Sequence, residues 1–257
     1  MDELSVLTLG FDVPGNNPDW PLVTILVDGK NPFAKVAPEW QGFDPADLFG
    51  SPRPAGPASR STSASSRTPI RRPLAPVLPG GHRAAVYRCS CGEPGCGVIA
   101  PLIVASPDHA RISWVDFRDY TGVFDAPLAP AAAADYDGTP WPLPDLHFAR
   151  DQYLREVRRA TDDRSWETPR RRTARFLEAH LRPRGPVLPP GLTLNWIVPA
   201  WERPGMLLSF EQPPANVPVQ QLLLLNSSEP DPAEAAADMA ARFFSVSPED
   251  WVREFGY

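Results

Sequence analysis

The segment Cys89-Ser90-Cys91-Gly92-Glu93-Pro94-Gly95-Cys96-Gly97 holds all three cysteines of the 257-residue chain within eight positions. In an extended strand Cys89 and Cys91 point to the same side, and a turn over Gly92 to Gly95 folds Cys96 back toward them. Three thiols gathered at one bend suit a metal, because thiolates favour zinc and zinc takes four ligands in a tetrahedron. The fourth position is open to His82, Glu93, His109 or His147, none of which stands at a diagnostic spacing. The paired C-x-x-C units of the common zinc patterns are absent. Two further readings stand beside a structural zinc: small buried thiols packed around the glycine-rich turn, or a Cys89–Cys96 or Cys91–Cys96 disulfide or redox pair.

Other reactive patterns have plain structural explanations. Asp116, Asp119 and Asp125 gather near the end of a strand, where paired carboxylates can do acid–base work and where Asp also caps turns. Arg170, Arg171, Arg172 and Arg175 open a helix that ends with Arg182 and Arg184. Such a face can meet phosphates, but arginine at a helix N-terminus opposes the dipole. Asp162, Asp163 and Glu167 are close enough in sequence to pair with it, which predicts a solvated, salt-bridged face. Trp166, Trp196, Trp201 and Trp251 read as core or rim anchors. No phosphate-cradling loop, dinucleotide fingerprint, H-E-x-x-H helix or G-x-S-x-G elbow occurs, so no catalytic residue is assigned.

The elements that must position the cysteine turn follow from periodicity. Leu7, Leu9, Phe11 and Val13 alternate with polar residues as a strand. Leu22 to Val27 is a second strand, and Asp28-Gly29 predicts a hairpin turn with a return through Lys30 to Val36. Ala85, Tyr87, Cys89 and Cys91 share a face of the next strand. Gly97 to Val104 reads as a strand covered on both sides, and Arg111 to Phe117 closes a three-stranded meander. Residues 126 to 146 read as surface loop. Helices are predicted from about 150 to 162 and, with Thr168 as N-cap and Pro169 in its first turn, up to Pro183; together they suggest a helical hairpin. Leu192 to Val198 and Met206 to Glu211 form a second hairpin around Pro204-Gly205, Gln221 to Leu225 is a further strand, and Asp231-Pro232-Ala233-Glu234 caps a C-terminal helix.

From Ser51 to Gly81 the chain is built from Pro, Ser, Arg, Ala and Gly without periodicity, which predicts a disordered insertion. The expected organisation is one α+β domain: residues 1–50 as N-terminal strands joining the core sheet, 51–81 as the insertion, and 82–257 as the main portion. The sheet is expected to be mainly antiparallel, with the helical hairpin and the C-terminal helix on one face.

The stretch from Tyr87 to Trp114, with its C-x-C-G-x-x-G-C-G core, resembles a widespread group of uncharacterised actinobacterial proteins. The similarity continues through Phe148-Ala149-Arg150-Asp151-Gln152-Tyr153 and Asp163-Arg164-Ser165-Trp166-Glu167, over the C-terminal two-thirds of the chain and outside the Arg/Ser/Pro insertion. The resemblance implies a stable fold built around the cysteine turn and no particular reaction.

Composition bounds the rest. The apolar fraction is 42 %, enough for a substantial core. Lys30 and Lys35 are the only lysines and the other twenty-three basic residues are Arg, as in the product of a GC-rich gene. A net charge of −6 argues against a general nucleic-acid binder. Met1-Asp2-Glu3-Leu4 lacks the basic start of an export signal, and no apolar run approaches a membrane span, so a cytoplasmic, reducing setting is expected. The function expected is that of a non-enzymatic binding or regulatory protein of immunity or accessory type, acting on a protein partner. A metal-assisted hydrolase or thiol oxidoreductase near the cysteine turn, and nucleic-acid binding through the Arg-rich loop and helix, are the alternatives.

Overall fold

A computed structural model describes residues 3–49, 73–74, 80–92, 94–124, 127–128, 137–182, 192–201, 203–212 and 219–257. The fold is α+β with mainly antiparallel sheets. The described residues divide into two compact units, one ending at Trp166 and one running from Glu167 to Tyr257. The reason is that the strands of each unit carry helices of their own and close one core of their own.

In the first unit β1 (Leu7–Asp12) pairs antiparallel with β2 (Leu22–Val27). Leu7, Leu9, Val23, Ile25 and Val27 are buried, the period-2 pattern of a sheet with one covered face. Asp28 and Gly29 both have positive φ, 51° and 76°, as a type I′ turn requires, and a bridge joins Val27 to Lys30. The expected return strand through Val36 does not form. Instead the Asn31 side chain accepts from the Phe33 amide (2.8 Å), the chain turns, and Phe33 stacks on Tyr87 at 4.5 Å.

The main sheet holds β3 (Gln41–Gly42), β4 (His82–Arg83), β5 (Tyr87–Arg88), β6 (Val98–Ala105), β7 (Arg111–Tyr120), β8 (Thr139–Pro140) and β9 (Leu146–Ala149). The order is β3-β5-β6-β7-β8, with β4 also on β6 and β9 also on β7. Of the predicted surface loop, residues 139–140 and 146 are therefore strand; their short, Pro-flanked runs carry too few residues to show alternation. The insertion predicted over 51–81 lies outside the described residues except at 73–74 and 80–81. There the prediction fails for Leu74, which is 1 % exposed and whose carbonyl accepts from the Tyr153 hydroxyl (2.8 Å).

The N-terminal strands join the core of this unit but not its main sheet, apart from β3. A bridge from Ser5 to Phe148 and a Val23 amide to Phe43 carbonyl bond (2.8 Å) tie them to its strands. The free edge of β1 is satisfied by side chains of α2 (Arg150–Asp162). Gln152 accepts from the Leu7 amide (3.3 Å) and donates to the Leu7 carbonyl (2.7 Å). Glu156 accepts from the Leu9 amide (2.7 Å), and Arg159 donates to the Leu9 carbonyl. Positions 152, 156 and 159 share a helix face, so the helix acts as a substitute strand along an edge that would otherwise be open.

Arg159, then the Leu9 amide, holds the Glu156 carboxyl below the usual glutamate range against the opposing effect of burial. Glu156→Ala is expected to destabilise the protein by about 1–3 kcal/mol, because it strands a half-buried amide. The contribution is fully present above the ordinary glutamate value near 4.5 and is lost as pH falls through the lower folded value. Urea titrations of wild type and variant should therefore differ at pH 7 and converge in acid.

The second unit contains α3 (Pro169–Leu181), a sheet of β10 (Thr193–Pro199), β11 (Met206–Gln212) and β12 (Val219–Leu225) in that order, α4 (Pro232–Ser245) and α5 (Trp251–Phe255). The caps are those predicted: Thr168 accepts from the Arg171 amide (3.1 Å), and Asp231 from the amides of Ala233 and Glu234 (2.8 and 3.1 Å). Thus α2 and α3 follow each other in sequence as expected, but each serves its own core. Phe243 stacks on Trp251 at 4.1 Å and on Phe210 at 5.7 Å. Trp166 and Trp251 are buried anchors, whereas Trp196 and Trp201 are exposed. None of the helices among the described residues is long and apolar enough to cross a membrane.

Candidate metal centre

The cysteine turn joins β5 to β6. The first of these strands ends at Arg88, so Cys89 and Cys91 do not share a strand face as predicted; Ser90 and Cys91 already lie in a turn. The Cys89 amide donates to the Gly97 carbonyl (3.0 Å), closing the base of the loop, and the Gly92 amide donates back to the Cys89 carbonyl (3.1 Å). Gly92 has φ 89°, a conformation glycine adopts freely, and the Arg88 guanidinium clamps its carbonyl. A single 3₁₀ turn, Pro94–Cys96, then swings Cys96 back, while the Gly95 carbonyl accepts from the Gly122 amide (2.7 Å).

The result is a cluster in which the sulfur atoms of Cys89, Cys91 and Cys96 all lie within 4.8 Å of one another, close enough to hold a metal ion. All three are free thiols; Cys89 is half-buried and the other two are exposed. That exposure overturns the reading of small buried thiols; full burial begins after the turn, with Val98 and Ile99 of β6. Trp40 covers the foot of the turn. A Cβ on Gly97 would come within 3.0 Å of its ring, so glycine makes room for the indole, which also packs against Trp141 at 5.7 Å. Nothing in the local spacing signals this contact, because Trp40 arrives from a distant part of the chain.

The thiols are not equivalent. The backbone amide of Cys91, then its thiol, donates to Cys89 and holds that group below the ordinary thiol range. Cys96 is pushed up to about 11, first by its hydrogen bond with Cys91 and then by that with Cys89. One sulfur thus accumulates hydrogen-bond donors while another keeps its proton. An incoming cation displaces those protons, so its affinity rises with pH.

The three histidines predicted as fourth ligands stand elsewhere. The Nε2 of His82 is 2.6 Å from the Pro73 carbonyl, and the Nδ1 of His147 is 2.8 Å from the Ser113 hydroxyl. His109 occupies the β6–β7 turn with φ 57°. No His, Asp or Glu among the described residues joins the sulfur cluster. Glu93 lies outside the described residues.

Among the remaining polar candidates, Asp116, Arg170, Arg175 and Arg182 are engaged in the fold. Asp116, at φ 48°, sits beside the register shift between β6 and β7. Arg83 fills that irregularity, donating to the carbonyls of Ala100 (2.8 Å) and Asp116 (2.7 Å) and to the Asp116 carboxylate (2.5 Å). Burial opposes ionisation of Asp116, but Arg118 and Arg83 prevail and hold its carboxyl below the usual range. Asp119 is pushed up by burial, and Asp125 lies outside the described residues. Along α3, Arg170 donates to the carbonyls of Ala200, Arg203 and Gly205. Arg175 pairs with Glu167, as expected, and Arg182 with Glu178, whereas Asp163 pairs with Arg159 of α2 and Arg171 is buried rather than solvated. No family model, curated protein or solved structure matches the chain.

Proposed function

We propose that this chain is a zinc-binding protein in which the thiolates of Cys89, Cys91 and Cys96 clasp one ion, fixing the 89–97 turn as a rigid surface feature for a protein partner. The observation that carries the reading is the convergence of three sulfurs, from positions 89, 91 and 96, to within 4.8 Å. Thiolates select zinc and other soft ions over hard cations. In zinc sites three protein ligands leave a fourth position for water or an incoming group.

A binding role fits the surroundings better than turnover does. The neighbours supplied by the fold are the Trp40 ring, the Arg88 clamp on Gly92 and backbone hydrogen bonds, and each of them positions the turn. His82 and His147, the side chains suited to moving a proton at neutral pH, are held by Pro73 and Ser113.

Elemental analysis of protein purified under reducing conditions tests the reading. Zinc is expected in equimolar amount, removable by a strong chelator and restored by added zinc. Protein that takes up no zinc, or that keeps its zinc after all three cysteines are changed to serine, would contradict it.

A further inference from the structure

We infer that Cys91 and Cys96 form a reversible oxidation site, at which hydrogen peroxide converts the two thiolates to a disulfide and expels the ion. This inference rests on the metal-binding reading above and adds its regulation. A disulfide needs two sulfurs that can meet without moving a packed element. Cys91 and Cys96 are the two exposed members of the cluster, and their sulfurs lie within 4.8 Å of each other.

There is open space beside the two glycines that lie between them. A Cβ at Gly92 would have nothing within 4 Å, and one at Gly95 would meet only the Phe124 carbonyl, at 3.8 Å. Cys89 is differently placed: it is half-buried and its own amide is tied to Gly97 at the base of the loop. It remains as the single thiol once the other two have joined.

The chemistry balances with the peroxide alone as oxidant. The Cys91 thiolate attacks one oxygen of the peroxide, the O–O bond breaks, and a sulfenic acid and hydroxide result. The Cys96 thiolate then attacks the Cys91 sulfur, forming the S–S bond and expelling the second hydroxide. Two electrons pass from the two sulfurs to the two peroxide oxygens, and both hydroxides pass into solution, where the buffer protonates them. The ion loses two of its three anionic ligands and leaves hydrated. A thiol reductant reverses the change by returning two electrons.

The test uses the full chain, reduced and loaded with zinc, titrated with hydrogen peroxide. Free zinc is read with a chromophoric chelator and the disulfide is mapped by peptide mass spectrometry. Expected are stoichiometric zinc release in step with a Cys91–Cys96 disulfide, recovery of binding after reduction, the same disulfide in metal-free Cys89→Ser, and none in Cys96→Ser. Zinc that is bound and then retained under peroxide, or released with sulfinic acid and no disulfide, overturns this inference while leaving the metal reading intact. A disulfide between Cys89 and either partner in the wild type also overturns it. Failure of the reduced chain to bind zinc at all overturns the metal reading, and this inference with it.

Discussion

Trp114→Ala is expected to lower the unfolding free energy of the unit ending at Trp166 by about 3–5 kcal/mol, the range for removing a buried aromatic side chain. Trp114 is 0 % exposed on β7 and makes edge contacts with Phe148 of β9 (5.7 Å) and Tyr153 of α2 (6.3 Å). Its indole donates to the Tyr153 hydroxyl (3.0 Å), and that hydroxyl donates to the Leu74 carbonyl. Burial holds the Tyr153 phenol far above its ordinary range, so it stays a neutral donor at any working pH. One side chain therefore links sheet, helix and the recruited 73–74 segment. Truncation leaves a cavity and an unanswered hydroxyl lone pair together. Chemical denaturation followed by fluorescence and far-UV circular dichroism would measure the loss; a change below about 1 kcal/mol, the typical value for a small core trim, would contradict this packing.

The second large effect concerns the sulfur cluster. Cys96→Ser is expected to weaken zinc binding by more than the roughly 10–100-fold that follows loss of a mere outer-shell partner, because it removes one of three anionic ligands. It should leave the fold in place, since Cys96 is exposed and the loop is closed independently by the Cys89–Gly97 and Gly122–Gly95 backbone bonds. Competition with a chelator of known affinity, beside a thermal melt of the metal-free proteins, separates the two effects. Equal zinc affinity in variant and wild type would show that Cys96 is not a ligand.

Much of the local structure was legible because its causes are local. The spacing of Tyr153, Val157 and Ala160 and the Thr168-Pro169 cap locate α2 and α3 to within a residue or so, and Pro204-Gly205 marks the turn between β10 and β11. Gly205 is required there: its φ is 111° and a Cβ would lie 2.4 Å from the Leu225 carbonyl.

What could not be read depends on partners far along the chain. Phe33 abandons the return strand because Tyr87 offers it a stacking surface. Leu74 leaves an insertion of disordered composition because the core around Tyr153 admits it. For β1, the hydrogen-bonding groups come from helix side chains, which no strand pattern reveals. The same division runs through the candidate site. The gathering of three cysteines follows from Gly92, Gly95 and the bend they permit, whereas the placement of His82 and His147 follows from where β4 and β9 settle in the sheet.

X-ray absorption at the zinc edge, on the reconstituted full chain, tests the central claim most directly. Coordination by three thiolates predicts three sulfur scatterers at about 2.3 Å with one lighter atom at about 2.0–2.1 Å. A shell of nitrogen and oxygen alone, or one with fewer than three sulfurs, would contradict it.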